Sequence, residues 1–174
     1  MKLSKQLLEQ LTQFLDENYI EDYPLKPRRS IFRHREADVC ESYAPLPCAS
    51  KAASLEDMLK QEDAGFTETL LKLIDQWDKK DSEVYKKANL SKQHFSKIRN
   101  NPHYRPTKST AIALALALEL DLEGTRDLIG RAGYALSNSS KFDLIIRFFI
   151  EQGNYNVVEI NMALYEFDQA LLGS

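Results

Sequence analysis

Apolar residues recur at helical spacing along most of the chain, and this pattern predicts helices. The sequence contains no convincing strand alternation and no internal repeat. The predicted helices are Leu3–Asn18, Ser54–Gln61, Thr67–Trp77, Glu83–Ala88, Ser91–Asn100, Ser109–Leu120, Leu122–Ala132, Lys141–Gln152 and a last one, begun by Asn156 and Glu159, that ends near Asp168. The sequence therefore predicts an all-α fold.

The stretch Asp81–Asn100 contains five apolar residues that one continuous helix would scatter around its surface. They are Val84, Ala88, Leu90, Phe95 and Ile98. They can share one small core only if the chain reverses direction near Asn89, a residue type that tolerates left-handed backbone. Ser82 can cap the helix before this turn, and Ser91 can cap the helix after it. The pattern predicts a helix-turn-helix.

The later helices are predicted to complete a bundle. Helix Ser109–Leu120 is apolar on almost every side, which indicates that it forms the buried centre. In helix Leu122–Ala132, Leu128 and Ile129 face inward, and Gly133 ends the helix. Ser140 and Asp143 form a predicted capping box at the start of helix Lys141–Gln152.

Residues 19–54 lose the helical period and contain four of the six prolines, which indicates a linker or an extended arm. We therefore divide the chain into an N-terminal helix with a proline-containing arm, residues 1–64, and a helical domain, residues 65–174. The arm contains the basic cluster Lys26, Arg28, Arg29, Arg33, His34 and Arg35. Two interpretations stay open: a solvated arm, or a contact with the DNA backbone or a protein partner.

Charge is unevenly distributed along the 174 residues. The formal net charge is −3, yet residues 84–110 carry seven basic side chains and no acidic one. An acidic protein with one basic segment suits a molecule that docks on DNA in a single orientation. Since the chain has no membrane-spanning apolar run, no signal-peptide pattern and only two cysteines, we expect a cytoplasmic protein.

Candidate catalytic and metal sites are weak. His34, Cys40 and Cys48 have a spacing that matches no zinc pattern, and a fourth ligand is missing. The six glycines are scattered, so they form no phosphate-binding loop. We therefore expect no enzymatic activity, no catalytic residue, no metal and no cofactor.

Residues 66–136 resemble the λ-repressor-like (Xre-type) helix-turn-helix domain in the order of their helices and in the five apolar residues named above. The block from about Lys97 to Gly173, with TAIALALALEL, LIGRAGYALS, KFDLII and LYEFDQALLG, is similar to a C-terminal helical module appended to varied bacterial proteins. The resemblance implies a five-helix bundle with two extra C-terminal helices, preceded by an N-terminal helix and an extended arm. Two residues depart from the family pattern: Tyr85 stands where Ala is usual, and Asn89 where Gly is usual.

This resemblance implies a bacterial transcriptional regulator that binds double-stranded DNA, with helix 91–100 in the major groove. The residues expected to read bases are Ser91, Lys92, Gln93, Ser96, Lys97 and Asn100, and those expected to bind phosphates are Lys86, Lys87, Arg99, Arg105, Thr107 and Lys108. Such binders usually dimerise; here Phe148, Phe149 and residues 164–172 either form a dimer surface or complete the core. The alternative function is a protein-interaction adaptor in a bacterial stress or phage-defence system, and RNA binding is a third.

Overall fold

The computed structural model describes residues 3–20 and 64–173, and within these two ranges it contains helices and no strand. The helices are α1 Lys5–Asn18, α2 Phe66–Gln76, α3 Asp81–Lys87, α4 Lys92–Asn100, α5 Lys108–Ala117, α6 Leu122–Arg131, α7 Lys141–Glu151 and α8 Val157–Glu166. The predicted all-α class is confirmed for this part of the chain. The predicted helix Ser54–Gln61, the basic cluster of the arm and the histidine–cysteine group lie outside the described residues.

Helix α5 occupies the centre of the bundle, as its uniformly apolar sequence predicts. Every residue from Thr110 to Leu118 is buried, and α5 contacts α3, α6 and α8. Its alanines let neighbouring helices approach closely, while its leucines fill the space between them. The helix ends at Ala117, earlier than the predicted Leu120, because Glu119 adopts a left-handed backbone with φ 58°.

Helix α1 packs in the same compact unit as residues 64–174. Its buried residues Leu11 and Leu15 lie on the side that contacts α7, and the rings of Phe14 and Phe148 are 5.3 Å apart. Phe148 is itself buried and makes an edge contact with Phe149. The helical domain therefore includes α1, which covers an apolar side of α7.

Most of the predicted helix ends are observed. The Ser91 hydroxyl accepts a hydrogen bond from the backbone N–H of His94 at 3.1 Å, Asn89 has φ 55°, and Gly133 has φ 84°. Ser82, however, does not cap α3, which begins at Asp81 with Lys80 as the N-cap residue. The early start places the Asp81 carboxylate in the first turn, where the helix dipole favours negative charge.

The N-caps of the last two helices, Ser140 for α7 and Asn156 for α8, each form only one half of a capping box. Ser140 accepts from the N–H of Asp143 at 3.3 Å, and Asn156 accepts from the first turn of α8. The carboxylates do not bond back to the caps: that of Asp143 binds Lys108, and that of Glu159 accepts from Asn154. The predicted capping box at Ser140 is therefore incomplete, because a lysine on another helix takes its carboxylate.

Candidate nucleic-acid interface

Helices α3 and α4, with the turn between them, form a small unit that we call the α3–α4 unit (residues 81–100). Its five apolar residues, Val84, Ala88, Leu90, Phe95 and Ile98, are all buried. Asn89 permits the chain reversal because it takes the left-handed conformation that the turn requires. The half-buried Tyr85 packs on Phe95, with ring centroids 6.0 Å apart, and so covers the core beside the turn.

The six residues predicted to read bases are all exposed, and we call them the α4 face: Ser91, Lys92, Gln93, Ser96, Lys97 and Asn100. The helical spacing from Gln93 to Asn100 puts Gln93, Ser96, Lys97 and Asn100 on one side of α4, opposite Phe95 and Ile98. The Asn100 amide donates to the Ser96 hydroxyl at 3.3 Å. Because α4 contains no acidic residue, this side presents only polar and basic groups.

The five basic residues among the predicted phosphate-binding set separate into two groups. Lys87 pairs with Glu119 at 2.7 Å, Arg99 with Asp81, and Lys108 with Asp143 at 2.6 Å. The remaining two, Lys86 and Arg105, are exposed and have no ion-pair partner among residues 3–20 and 64–173; the same holds for Lys92 and Lys97 of the α4 face. Four cations around α4 are therefore available to a ligand.

Thr107 and Lys108 have structural contacts at the start of α5. The Thr107 hydroxyl is the N-cap, accepting from the Thr110 N–H at 3.3 Å. The Asp143 carboxylate is only 1% exposed, and its Oδ2 also accepts from the Ser137 N–H at 2.9 Å. Its Oδ1 has no hydrogen-bond partner among residues 3–20 and 64–173. Lys108 therefore neutralises a buried charge and joins the start of α5 to that of α7.

The loop between α4 and α5 is held by side chains that are not among the residues predicted to contact DNA. Nε2 of His94 lies 2.9 Å from the Tyr104 hydroxyl, and the Tyr134 hydroxyl donates to the Pro106 carbonyl at 3.1 Å. Thr67 donates to the Asn101 carbonyl at 3.3 Å. These bonds hold the loop that carries Arg105. A lone tyrosine in a polar loop gives no sequence signal for such contacts, since the partners lie far apart in the chain.

Glu119 is the acidic residue that pairs with Lys87 of the α3–α4 unit. The hydrogen bond from Lys87 lowers the pKa of the Glu119 carboxyl; burial opposes this less strongly, and the charge of Lys79 adds a still smaller lowering. Glu119 is therefore ionised at neutral pH and competes with any external anion for Lys87.

Comparisons with protein-family models, with curated proteins and with solved structures found no match. The resemblance to λ-repressor-like domains therefore stays a prediction that depends on the residues quoted for it. Across the described parts of the chain, no helix has the length and apolar character needed to span a membrane. Nor does any group of three or more His, Cys, Asp or Glu side chains in those parts offer a metal site.

Proposed function

We propose that this chain is a sequence-specific DNA-binding protein of the λ-repressor-like type that reads the major groove with α4. The observation that carries the proposal is the α4 face, which is exposed and free of acid, and four of whose six residues lie opposite the buried Phe95 and Ile98. A helix whose outer side offers amide, hydroxyl and ammonium groups can reach base edges while its inner side is held by the core. The proposed cellular role is transcriptional regulation in a bacterium.

Base reading is assigned to the first turns of α4. The Gln93 amide can pair with both N6 and N7 of adenine, and Lys92 can donate to the O6 and N7 acceptors of guanine. Ser96, Lys97 and Asn100 continue along the same side. Because Ser91 caps α4 and Phe95 anchors it, the side chains that read bases project from a fixed helix rather than from a loop.

Phosphate binding is assigned to cations that can leave their present surroundings at small cost. Lys86 and Arg105 have no ion pair to break in the described structure. Lys87 and Arg99 pair with partly exposed carboxylates, and such pairs contribute about 0–1 kcal/mol, so a phosphate can replace the carboxylate. Lys108 is different, because leaving Asp143 would strand a buried charge. We therefore remove Lys108 from the proposed phosphate contacts.

Selection of bound duplexes from a random DNA pool tests this function, and we expect one enriched motif. On that motif, Gln93→Ala should lose about 1–3 kcal/mol of discrimination at one base pair. Lys86→Ala, at a proposed phosphate contact, should weaken binding to every duplex and reduce the salt slope by about one unit. Gln76→Ala, an exposed glutamine on α2, is the matched control and should leave both quantities unchanged. A pool without enrichment, and no binding at about 50 mM salt, would contradict the proposal.

A second candidate function is that of a protein-interaction adaptor, as in a bacterial stress or phage-defence system. The observation that favours it is the exposure of apolar residues on α8, where Val158 is 62% and Tyr165 74% exposed. In that case the chain binds no duplex and forms a stoichiometric complex with another protein, and the α4 face contacts acidic side chains instead of phosphates.

A further inference from the structure

The segment of residues 169–173, which follows α8, lies against the turn of the α3–α4 unit. Within it Leu172 is buried, and Gly173 has φ 73°, a left-handed conformation that glycine adopts at little cost. A Cβ built on Gly173 would lie 2.6 Å from the Ala88 carbonyl oxygen and 2.8 Å from that of Asn89. The 169–173 segment therefore approaches the backbone of the turn more closely than any residue with a side chain could.

Hydrogen bonds and a buried side chain hold the 169–173 segment on the bundle. The Asn161 side chain of α8 accepts from the Leu172 N–H at 2.8 Å and donates to the Leu172 carbonyl at 3.1 Å. The Gln169 N–H donates to the carbonyl of Leu164 at 2.8 Å, and Leu164, like Leu172, is buried in the core. Because α8 packs against α5 and α7, these bonds fix the segment to the centre of the bundle.

The turn determines how α4 projects from α3. It is closed by the Leu90 N–H, which donates to the Tyr85 carbonyl at 2.8 Å. Residues 91–93, the first of the α4 face, follow it directly. A shift of the Ala88 and Asn89 carbonyls would therefore move the side chains proposed to read bases, which have to be held to a fraction of an ångström.

Gly173 also makes room for Asn89, which stands where the family pattern usually has glycine. The Cβ of Asn89 lies 2.9 Å from the place that a Cβ on Gly173 would take. Two side chains cannot share that space, because folded chains pack to nearly crystalline density without such overlaps. The glycine that the turn lacks is thus supplied by the segment facing it.

We propose that Asn161 and Gly173 are positioning residues for DNA recognition. Asn161 anchors the 169–173 segment, and Gly173 holds the turn so that α4 projects in the orientation that reads bases. Both act through the backbone of Ala88 and Asn89 rather than by contacting DNA. The consequence for recognition rests on the proposed function, whereas the hold on the turn can be measured without DNA.

Amide hydrogen exchange of the full chain without DNA tests this hold. Gly173→Ala adds a Cβ that the turn cannot accept, so the Asn89 and Leu90 amides should exchange at least fivefold faster. The Leu118 amide, at the centre of the bundle, should keep its rate. Gly133→Ala is the matched control, because Gly133 also has a positive φ, 84°, but a Cβ there meets nothing within 4 Å in the described chain. Unchanged exchange at the turn in Gly173→Ala would overturn the proposal.

Asn161→Ala releases the segment by a different route and keeps glycine at position 173. The same two turn amides should again exchange faster. The double variant with Gly173→Ala should be no more than about twofold faster than the faster single variant, because both changes act through one contact. Rates that multiply in the double variant would contradict the anchoring role of Asn161.

Duplex titrations test the consequence for recognition. Gly173→Ala should reduce at least threefold the discrimination between the enriched motif and a duplex altered at the base pair that Gln93 reads. The salt slope should not change, because no phosphate contact is lost. A variant that is only less stable would lose affinity for all duplexes equally, and urea unfolding measures that loss.

The two measurements separate this inference from the proposed function. Faster exchange at the turn with full discrimination would overturn the positioning role and leave DNA binding untouched. Absence of an enriched motif would contradict the proposed function, and the effect on recognition with it. The exchange rates would still decide whether Gly173 holds the turn.

Discussion

Helices α4 and α5 follow each other along the chain, joined by the loop 101–107, yet they use their side chains in opposite ways. On α5 every residue from Thr110 onward is buried, whereas on α4 only Phe95 and Ile98 are. The basic residues differ too: Lys108 at the start of α5 pairs with a buried carboxylate, while Lys97 on α4 has no ion pair among the described residues. The basic segment of residues 84–110 therefore contains two kinds of cation. Some stabilise the fold by pairing with a buried carboxylate, as Lys108 does with Asp143, and others, such as Lys97, are available to a ligand.

The largest expected effect is on the α5 side of the comparison. Leu114 is fully buried at the centre of the bundle, so Leu114→Ala removes apolar contacts and leaves a cavity. We expect a loss of about 2–5 kcal/mol in the free energy of unfolding, measured by urea denaturation. Ser96→Ala on the α4 face is the control and should change stability by less than about 0.5 kcal/mol. Similar losses of stability for the two variants would contradict the contrast between a buried α5 and an exposed α4 face.

A smaller effect on stability is expected when Lys108 or Lys97 is replaced by methionine, an uncharged side chain of similar length. Lys108→Met leaves the Asp143 carboxylate buried without its cation, and since the lysine is 31% exposed, water can compensate in part. We expect a loss of about 1–3 kcal/mol in stability, below the full value for a buried pair. Lys97→Met should change stability by less than about 0.5 kcal/mol.

DNA titrations on the same two variants sharpen the distinction. Lys97→Met should weaken binding to the enriched motif, because a side chain proposed to contact base edges is lost. Lys108→Met should leave the slope unchanged at temperatures where the variant is folded. The opposite result, a stable Lys108→Met protein with a reduced slope, would return Lys108 to the phosphate-binding set and contradict the structural role given to it here.

The sequence predicts the fold well where local pattern and burial agree. The five apolar residues of the α3–α4 unit, the buried α5 and the turn at Asn89 follow from spacing and residue type alone. The start of α3 was predicted wrongly: Ser82 is a good cap by type, but the helix begins at Asp81, two residues before the predicted Glu83. Neighbouring residues that can each begin a helix are not distinguished by pattern.

The candidate site is only partly predictable from sequence, for a different physical reason. Exposure of the α4 face follows from the helical period, because Phe95 and Ile98 fix which side faces inward. The partner of Lys108 does not, because Asp143 is 35 residues away and the pair forms only when α5 and α7 pack together. Likewise Phe148 on α7 and Tyr165 on α8 are both large aromatic residues of the C-terminal helices. Phe148 is covered by α1, whereas Tyr165 is 74% exposed, and the sequence does not distinguish them.

The cap of α4 gives the third effect in order of size. Ser91 accepts from the His94 N–H, so Ser91→Ala leaves this backbone donor to water and frays the first turn that carries Lys92 and Gln93. We expect a loss of about 1 kcal/mol in stability by thermal or urea unfolding. Ser91→Asp should retain the cap and the stability. A Ser91→Ala protein as stable as the parent would show that packing alone holds the start of α4.

The smallest effect concerns Lys87, whose ion pair with Glu119 is more exposed than the pair of Lys108 with Asp143. Its hydrogen bond to Glu119 lowers the pKa of that carboxyl in the folded chain. A lowered folded-state pKa stabilises the fold at neutral pH, and this stabilisation is lost as the pH falls through that lowered pKa. Because both side chains are about half exposed, the expected contribution is below about 1 kcal/mol and decreases with salt. Comparing parent and Glu119→Gln by urea unfolding from neutral to acidic pH should show a small difference in stability that vanishes in acid.

If DNA draws Lys87 away from Glu119, the same variant should bind duplexes at least as tightly as the parent. Weaker binding would mean that the pair itself positions α3 on the DNA.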